Sequence, residues 1–152
     1  MDATERLAEV RARIARALPG ASDPAAALLA VGKRQPASAI RALALAGQRR
    51  FGENYVQEAA GKRLQLSDLD LEWHLIGPLQ SNKCRAAAQL FDWVQSLDRD
   101  KLVPLLARER GDELPPLNVL IQVNVDDEAS KAGCAPDEIE TLAEVVAAQP
   151  RL

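Results

Sequence analysis

The feature that most constrains this sequence is a repeated alternation between short apolar runs and longer segments with helical spacing. Five short runs rich in apolar residues fit β-strands, and each is followed by a segment whose apolar residues recur as on one face of a helix. The predicted strands are residues 27–31, 50–54, 71–77, 92–97 and 117–125. This alternation of strand and helix predicts a parallel sheet joined by right-handed crossovers.

Helix signals fill the intervals between the strands. The chain opens with apolar residues at helical spacing, and Asp2 with Glu5 has the form of a capping box. Further helices are predicted between Pro36 and Gly47, at 55–66, at 81–90, and from Pro136 nearly to the end of the chain. Another should run from 98 to about 110, with Asp98 as its cap and Pro104 as the site of a kink.

Five strand–helix units are compatible with two architectures. They could form an open doubly wound sheet, or they could be the first five units of a (β/α)8 barrel. A complete barrel usually needs about 200 or more residues, whereas this chain has 152. The barrel interpretation therefore implies a truncated chain, and the pattern alone leaves both architectures open.

Composition excludes several classes of function. The chain carries 19 Lys and Arg against 22 Asp and Glu, and its basic residues are scattered, so nucleic-acid binding is not expected. No run approaches the roughly 18 apolar residues of a membrane span, and no apolar core of a signal peptide is present. Cys84 and Cys134 lie far apart and lack metal-ligand spacing, so we expect two free thiols and no metal site. The length fits one domain over residues 1–152, which we expect to be cytoplasmic.

In either architecture, ligand-binding groups are expected where strands end. Lys33 follows the first apolar run and Gly32. Partial desolvation at that position would favour the neutral amine that forms a Schiff base with an aldehyde, and a solvated strand-end lysine is the alternative. Glu53, Asn54 and His74 could orient a polar ligand at the same edge, the alternatives being a turn residue for Asn54 and a structural histidine for His74.

An oxygen-rich segment follows the fifth predicted strand. It contains Asn124, Asp126, Asp127 and Glu128, but the spacing of a calcium-binding loop is absent. We expect a solvated turn whose carboxylates flank Lys131. No glycine-rich phosphate-binding motif of the GxGxxG or GxxxxGK type occurs in the sequence.

Six segments of the sequence resemble, in order, signatures of the pyridoxal phosphate homeostasis protein family. They are LLAVGK at 28–33, AGQRRFGENYVQE at 46–58, EWHLIGPLQSNK at 72–83, FDW at 91–93, LPPLNVLIQVN at 114–124 and SKAG at 130–133. The resemblance extends over essentially the whole chain. The usual family pattern has Ser before the lysine and Thr-Lys after it, whereas this chain has Gly32, Arg34 and Gln35.

The resemblance implies a fold similar to the N-terminal barrel of alanine racemase. The chain would then comprise an N-terminal helix and the first five units of that (β/α)8 barrel, without the C-terminal units that carry the family's phosphate-binding segments. It also implies that pyridoxal 5′-phosphate is held as an internal aldimine on Lys33. Their positions at or near strand ends make Asn54 and His74 the further candidate cofactor-binding residues. The family is regarded as managing cofactor supply, so the implied partner is this small molecule, with the recipient apo-enzymes left open.

Two alternatives to a non-catalytic cofactor-binding protein remain at this point. One is a pyridoxal phosphate-dependent enzyme of the racemase type, which needs a second acid/base group on the opposite face of the cofactor. In alanine racemases another domain supplies that group, and this sequence lacks such a domain. The other alternative is a fragment too incomplete to bind the cofactor.

Overall fold

A computed structural model describes residues 2–18 and 26–152. The helices are α1 (Ala3–Ala17), α2 (Ala37–Leu45), α3 (Val56–Gln65), α4 (Cys84–Leu90), α5 (Leu102–Glu109) and α6 (Ile139–Ala147). The strands are β1 (Ala30–Val31), β2 (Arg50–Glu53), β3 (Glu72–Leu75), β4 (Trp93–Leu97) and β5 (Asn118–Ile121). Short 3-10 turns at Ser81–Lys83 and Pro136–Glu138 lead into α4 and α6. The predicted order of strands and helices is confirmed, as is the capping box between Asp2 and Glu5.

The strands form one parallel sheet in the order β1-β2-β3-β4-β5. An open doubly wound sheet reverses its strand order at a switch point. Here each described strand lies beside the next strand of the chain, which is the arrangement of a (β/α)8 barrel. The topology therefore decides between the two predicted architectures in favour of the barrel.

Side-chain alternation gives the sheet two different faces. On the face covered by helices, Phe51, Leu75 and Val94 have no exposed surface, and they belong to one hydrophobic core with residues of α2, α4 and α5. We call the opposite face the inner face. On this face, the strand register aligns one row of residues across the sheet. The row consists of Val31, Gly52, His74, Trp93 and Asn118.

The first strand differs from its prediction. The apolar run at 27–31 predicted a strand covered on both faces, but β1 comprises only Ala30 and Val31. The side chain of Val31 is half-exposed, at 50%. The predicted coverage of both faces is wrong because β1 is the end strand of the described sheet, where only β2 lies beside it and Val31 on the inner face stays half-exposed.

The start of α5 also differs from its prediction. Asp98 does not cap the helix, which begins at Leu102 without a side-chain cap. The Asp98 carboxylate instead accepts a hydrogen bond from the guanidinium of Arg99, at 2.5 Å. Pro104 lies in the first turn of α5, where a missing N–H removes no intrahelical hydrogen bond and no kink is required.

Both cysteines are free thiols, as predicted, and both are buried. Burial raises the pKa of the Cys84 thiol and of the Cys134 thiol. Within residues 2–18 and 26–152, none of the helices combines the length and the apolarity that crossing a bilayer requires.

Candidate functional site

Lys33 lies in a tight turn directly after β1. The Gly32 amide donates to the Gly52 carbonyl at 2.8 Å, and the Gln35 amide donates back to the Gly32 carbonyl at 2.9 Å. Lys33 and Arg34 are the central residues of this turn, and Arg34 has a φ of 60°. The Lys33 side chain is exposed, so the partial desolvation expected from the sequence is not provided by the described residues around this edge strand.

Asn54 follows β2 at the same edge of the sheet. Lys33 and Asn54 each lie two residues beyond the register pair Val31–Gly52. Asn54 is partly buried, and its backbone contacts the segment after β3. A Cβ atom on Gly77 would lie 2.2 Å from the Asn54 carbonyl oxygen, so only glycine permits this approach. The structure thus brings the loops of Lys33 and Asn54 to one edge.

His74 lies deeper on the inner face. It is level with Gly52, about 7 Å before the edge at the usual rise per strand residue. Its Nε2–H donates to the Glu72 carboxylate at 2.7 Å, and its Nδ1 accepts from the Gln95 amide at 2.9 Å. The ring stacks on Trp93 with 5.6 Å between centroids and 4° between planes. Burial lowers the pKa of His74, and this tautomer satisfies both nitrogens of the neutral ring.

Glu53 does not lie where the sequence predicted. Alternation along β2 directs its side chain to the helix-facing side, where it has no exposed surface. Burial there raises the pKa of its carboxyl group. One oxygen, Oε1, accepts from the Lys62 ammonium at 2.8 Å, while Oε2 has no hydrogen-bond partner. Glu53 is therefore not available to a ligand at the edge of the sheet.

Sequence reasoning missed Lys62, which is buried in α3. Its ammonium also donates to the Glu58 carboxylate and to the Gly32 carbonyl, both at 2.7 Å. We call Glu53, Glu58 and Lys62 the buried ion cluster. In the sequence it shows only as a carboxylate at the end of β2 and a lysine on the next helix, and that pattern does not by itself indicate a contact between them.

The oxygen-rich segment after β5 is a solvated turn, as predicted. Glu128 pairs with Lys131 at 2.6 Å, and the Asn124 side chain hydrogen-bonds the backbone of Glu128. The four oxygen-bearing residues of the segment are partly or fully exposed. In the part of the chain that the structure describes, no three His, Cys, Asp or Glu side chains are grouped so as to hold a metal ion.

Comparison with known proteins shows which family this fold and sequence belong to. The model of the alanine racemase N-terminal domain family matches residues 6–152, which identifies the described sheet as part of that barrel. A pyridoxal phosphate homeostasis protein from Pseudomonas aeruginosa is 54% identical over 150 residues, covering 97% of this chain and 65% of the relative. The protein of the same name from Escherichia coli K12 is 50% identical over 156 residues, covering 99% and 67%. The chain belongs to the pyridoxal phosphate homeostasis protein family.

Comparison with a solved structure gives the same result for the fold. PipY of Synechococcus elongatus PCC7942, solved with PLP bound, is 40% identical and superposes with a TM-score of 0.85. The match covers 99% of this chain and 66% of PipY. The chain thus spans about two thirds of the length of the relatives it matches.

Proposed function

We propose that this chain binds pyridoxal phosphate through Lys33 and acts in homeostasis of that cofactor without catalysing a reaction. The observation that carries the proposal is the position of Lys33. Its amine is exposed in a hydrogen-bonded turn at the C-terminal end of the first strand, which is the edge where barrels of this kind bind ligands. Family membership and the PLP-bound relative support the choice of ligand.

The residues at this edge fit the chemistry of the cofactor. Pyridoxal phosphate supplies an aldehyde, which condenses with a primary amine to an imine and releases water. Lys33 offers the amine, and the partly buried Asn54 offers an amide at the same level. Deeper on the inner face, the stacked rings of His74 and Trp93 form a flat aromatic wall.

The state of His74 favours a carrier over a racemase. A racemase needs a second group that accepts and donates protons on the opposite face of the cofactor. Both ring nitrogens of His74 are engaged by Glu72 and Gln95, and burial lowers its pKa. This arrangement suits a structural role, and the two free thiols suit the reducing cytoplasm that we propose as the location.

Covalent labelling tests the proposal directly. The chain is incubated with pyridoxal phosphate, reduced with borohydride and mapped by peptide mass spectrometry. We expect the reduced adduct on Lys33 and its loss in Lys33→Arg, because a guanidinium does not form the imine, while the control Lys101→Arg keeps it. Labelling of Lys83, Lys101 or Lys131 with Lys33 unmodified would contradict the assignment.

A further inference from the structure

The buried ion cluster holds the two ends of the turn that carries Lys33. Before Lys33, the Gly32 carbonyl accepts from the Lys62 ammonium at 2.7 Å as well as from the Gln35 amide at 2.9 Å. After Lys33, the Arg34 amide donates to the Glu58 carboxylate at 2.7 Å. The backbone on each side of Lys33 is therefore bonded to a charged side chain of α3.

Lys62 links the members of this arrangement. Its three hydrogen bonds, to Gly32, Glu53 and Glu58, use all three protons of the ammonium. The residue is only 6% exposed. The bond to Lys62 is the largest cause of the lowered pKa of the Glu58 carboxyl group, which keeps Glu58 an acceptor for the Arg34 amide.

The composition of the cluster is unusual for a purely stabilising device. Burying ions is costly, and hydrophobic residues of similar volume often stabilise a fold as well or better. Here the cost includes the Oε2 atom of Glu53, which is buried without a partner. The Cβ of any larger residue at 32 would also lie 2.4 Å from the other oxygen of that carboxylate. In the part of the chain that the structure describes, the side-chain hydrogen bonds that the cluster makes outside itself go to the backbone of the Lys33 turn.

We propose that Lys62 is a positioning residue for Lys33, acting with Glu58 to fix the turn from Gly32 to Gln35 so that the Lys33 amine is presented to the cofactor aldehyde. The inference rests on the proposed function of Lys33. Displacement of a reacting group by about 1 Å can cost on the order of a hundredfold in rate. Loss of one anchor of a two-anchor turn is therefore expected to slow covalent attachment by about tenfold.

The experiment compares the rate of borohydride-trapped labelling at Lys33 among folded variants. Lys62→Met removes the ammonium and keeps the length of the side chain, and we expect a loss of about tenfold. Lys62→Arg keeps the charge and should restore part of the rate. The matched control is Leu106→Ala, which removes buried core volume in α5 away from the cluster. It should lower stability and leave the labelling rate of the folded chain unchanged.

Glu58→Ala keeps the test decisive if Lys62→Met does not fold. Glu58 is partly exposed, and its removal frees the Arg34 amide, so we expect slower labelling and faster hydrogen exchange at Arg34. If Lys33 is labelled as fast in folded Lys62→Met as in the wild type, the positioning role is refuted and the proposed function stands. Where Lys62→Met does not fold, an unchanged labelling rate in folded Glu58→Ala refutes the positioning role in the same way. If Lys33 is not labelled in the wild type, the proposed function fails and the positioning role fails with it.

Discussion

At the scale of single residues, His74 couples the stability of the fold to pH near neutrality. Burial lowers its pKa below the ordinary value of 6.5. In the window between the two pKa values the unfolded chain binds a proton that the folded chain does not. The contribution of His74 to the free energy of unfolding is therefore fully present above about pH 6.5 and is lost as the pH falls through the folded-state pKa.

The chain has a single histidine, so this pH dependence can be assigned by one substitution. We expect the unfolding free energy of His74→Gln to fall less than that of the wild type between about pH 7.5 and 5.5, as measured by urea denaturation. Gln keeps a hydrogen-bonding side chain beside Glu72 and Gln95 but does not titrate in this range. An unchanged slope in the variant would show that other groups cause the dependence.

At the scale of elements, Arg110 joins α4 to the segment before β5. Its guanidinium donates to the carbonyls of Ala88 and Phe91, at 2.6 and 2.8 Å, and to the Pro115 carbonyl at 2.7 Å. Ala88 lies in the last turn of α4, where carbonyls lack partners within the helix. Arg110 is 4% exposed, so these carbonyls have little access to water if it is removed.

We therefore expect Arg110→Met to lower the unfolding free energy by about 3 kcal/mol, since each buried acceptor left without a partner costs about 1–3 kcal/mol. Arg108→Met is the matched control, because the side chain of Arg108 is 70% exposed and pairs only with Glu109 among described contacts. The control should change stability by no more than about 0.5 kcal/mol. Equal effects of the two substitutions in chemical denaturation would contradict the structural role of Arg110.

Elements were more predictable from the sequence than the contacts between them. Strand and helix order follows from local periodicity, and Lys33 and Asn54 lie at one edge because each follows a parallel strand. Asp98 was predicted as a cap and is not one, because its carboxylate binds the guanidinium of the neighbouring Arg99 and the helix begins only at Leu102. The pair between Glu53 and Lys62 depends on how α3 packs against β2, and periodicity within either element carries no information about that packing.

The depth and hydrogen bonding of His74 were unpredictable for a related reason. Its position on the inner face is set by the register of β3 against β2, and one of its two hydrogen-bond partners comes from β4. A histidine in a strand predicts neither a partner on another strand nor the aromatic ring that stacks on it. Such contacts arise only when the strands are aligned in the sheet.

At the scale of the whole molecule, the described sheet presents two strand edges. Within residues 2–18 and 26–152, β1 pairs only with β2 and β5 only with β4. Apolar side chains are exposed near both edges, Val31 at 50% and Leu120 at 46%. Strand edges with unpaired backbone groups and exposed apolar residues are sites of association with other chains.

We therefore expect the 152-residue chain to associate in a concentration-dependent manner through these edges. Leu120→Lys places a charge beside the β5 edge and should shift the chain toward monomer, because a charged side chain disfavours edge-to-edge pairing. Leu45→Lys is the matched control, since Leu45 is an apolar residue that is 75% exposed at the end of helix α2 and does not belong to a strand of the sheet. Sedimentation velocity over a range of concentrations measures the effect. A chain that stays monomeric throughout, or that responds equally to both substitutions, would show that the sheet edges do not drive association.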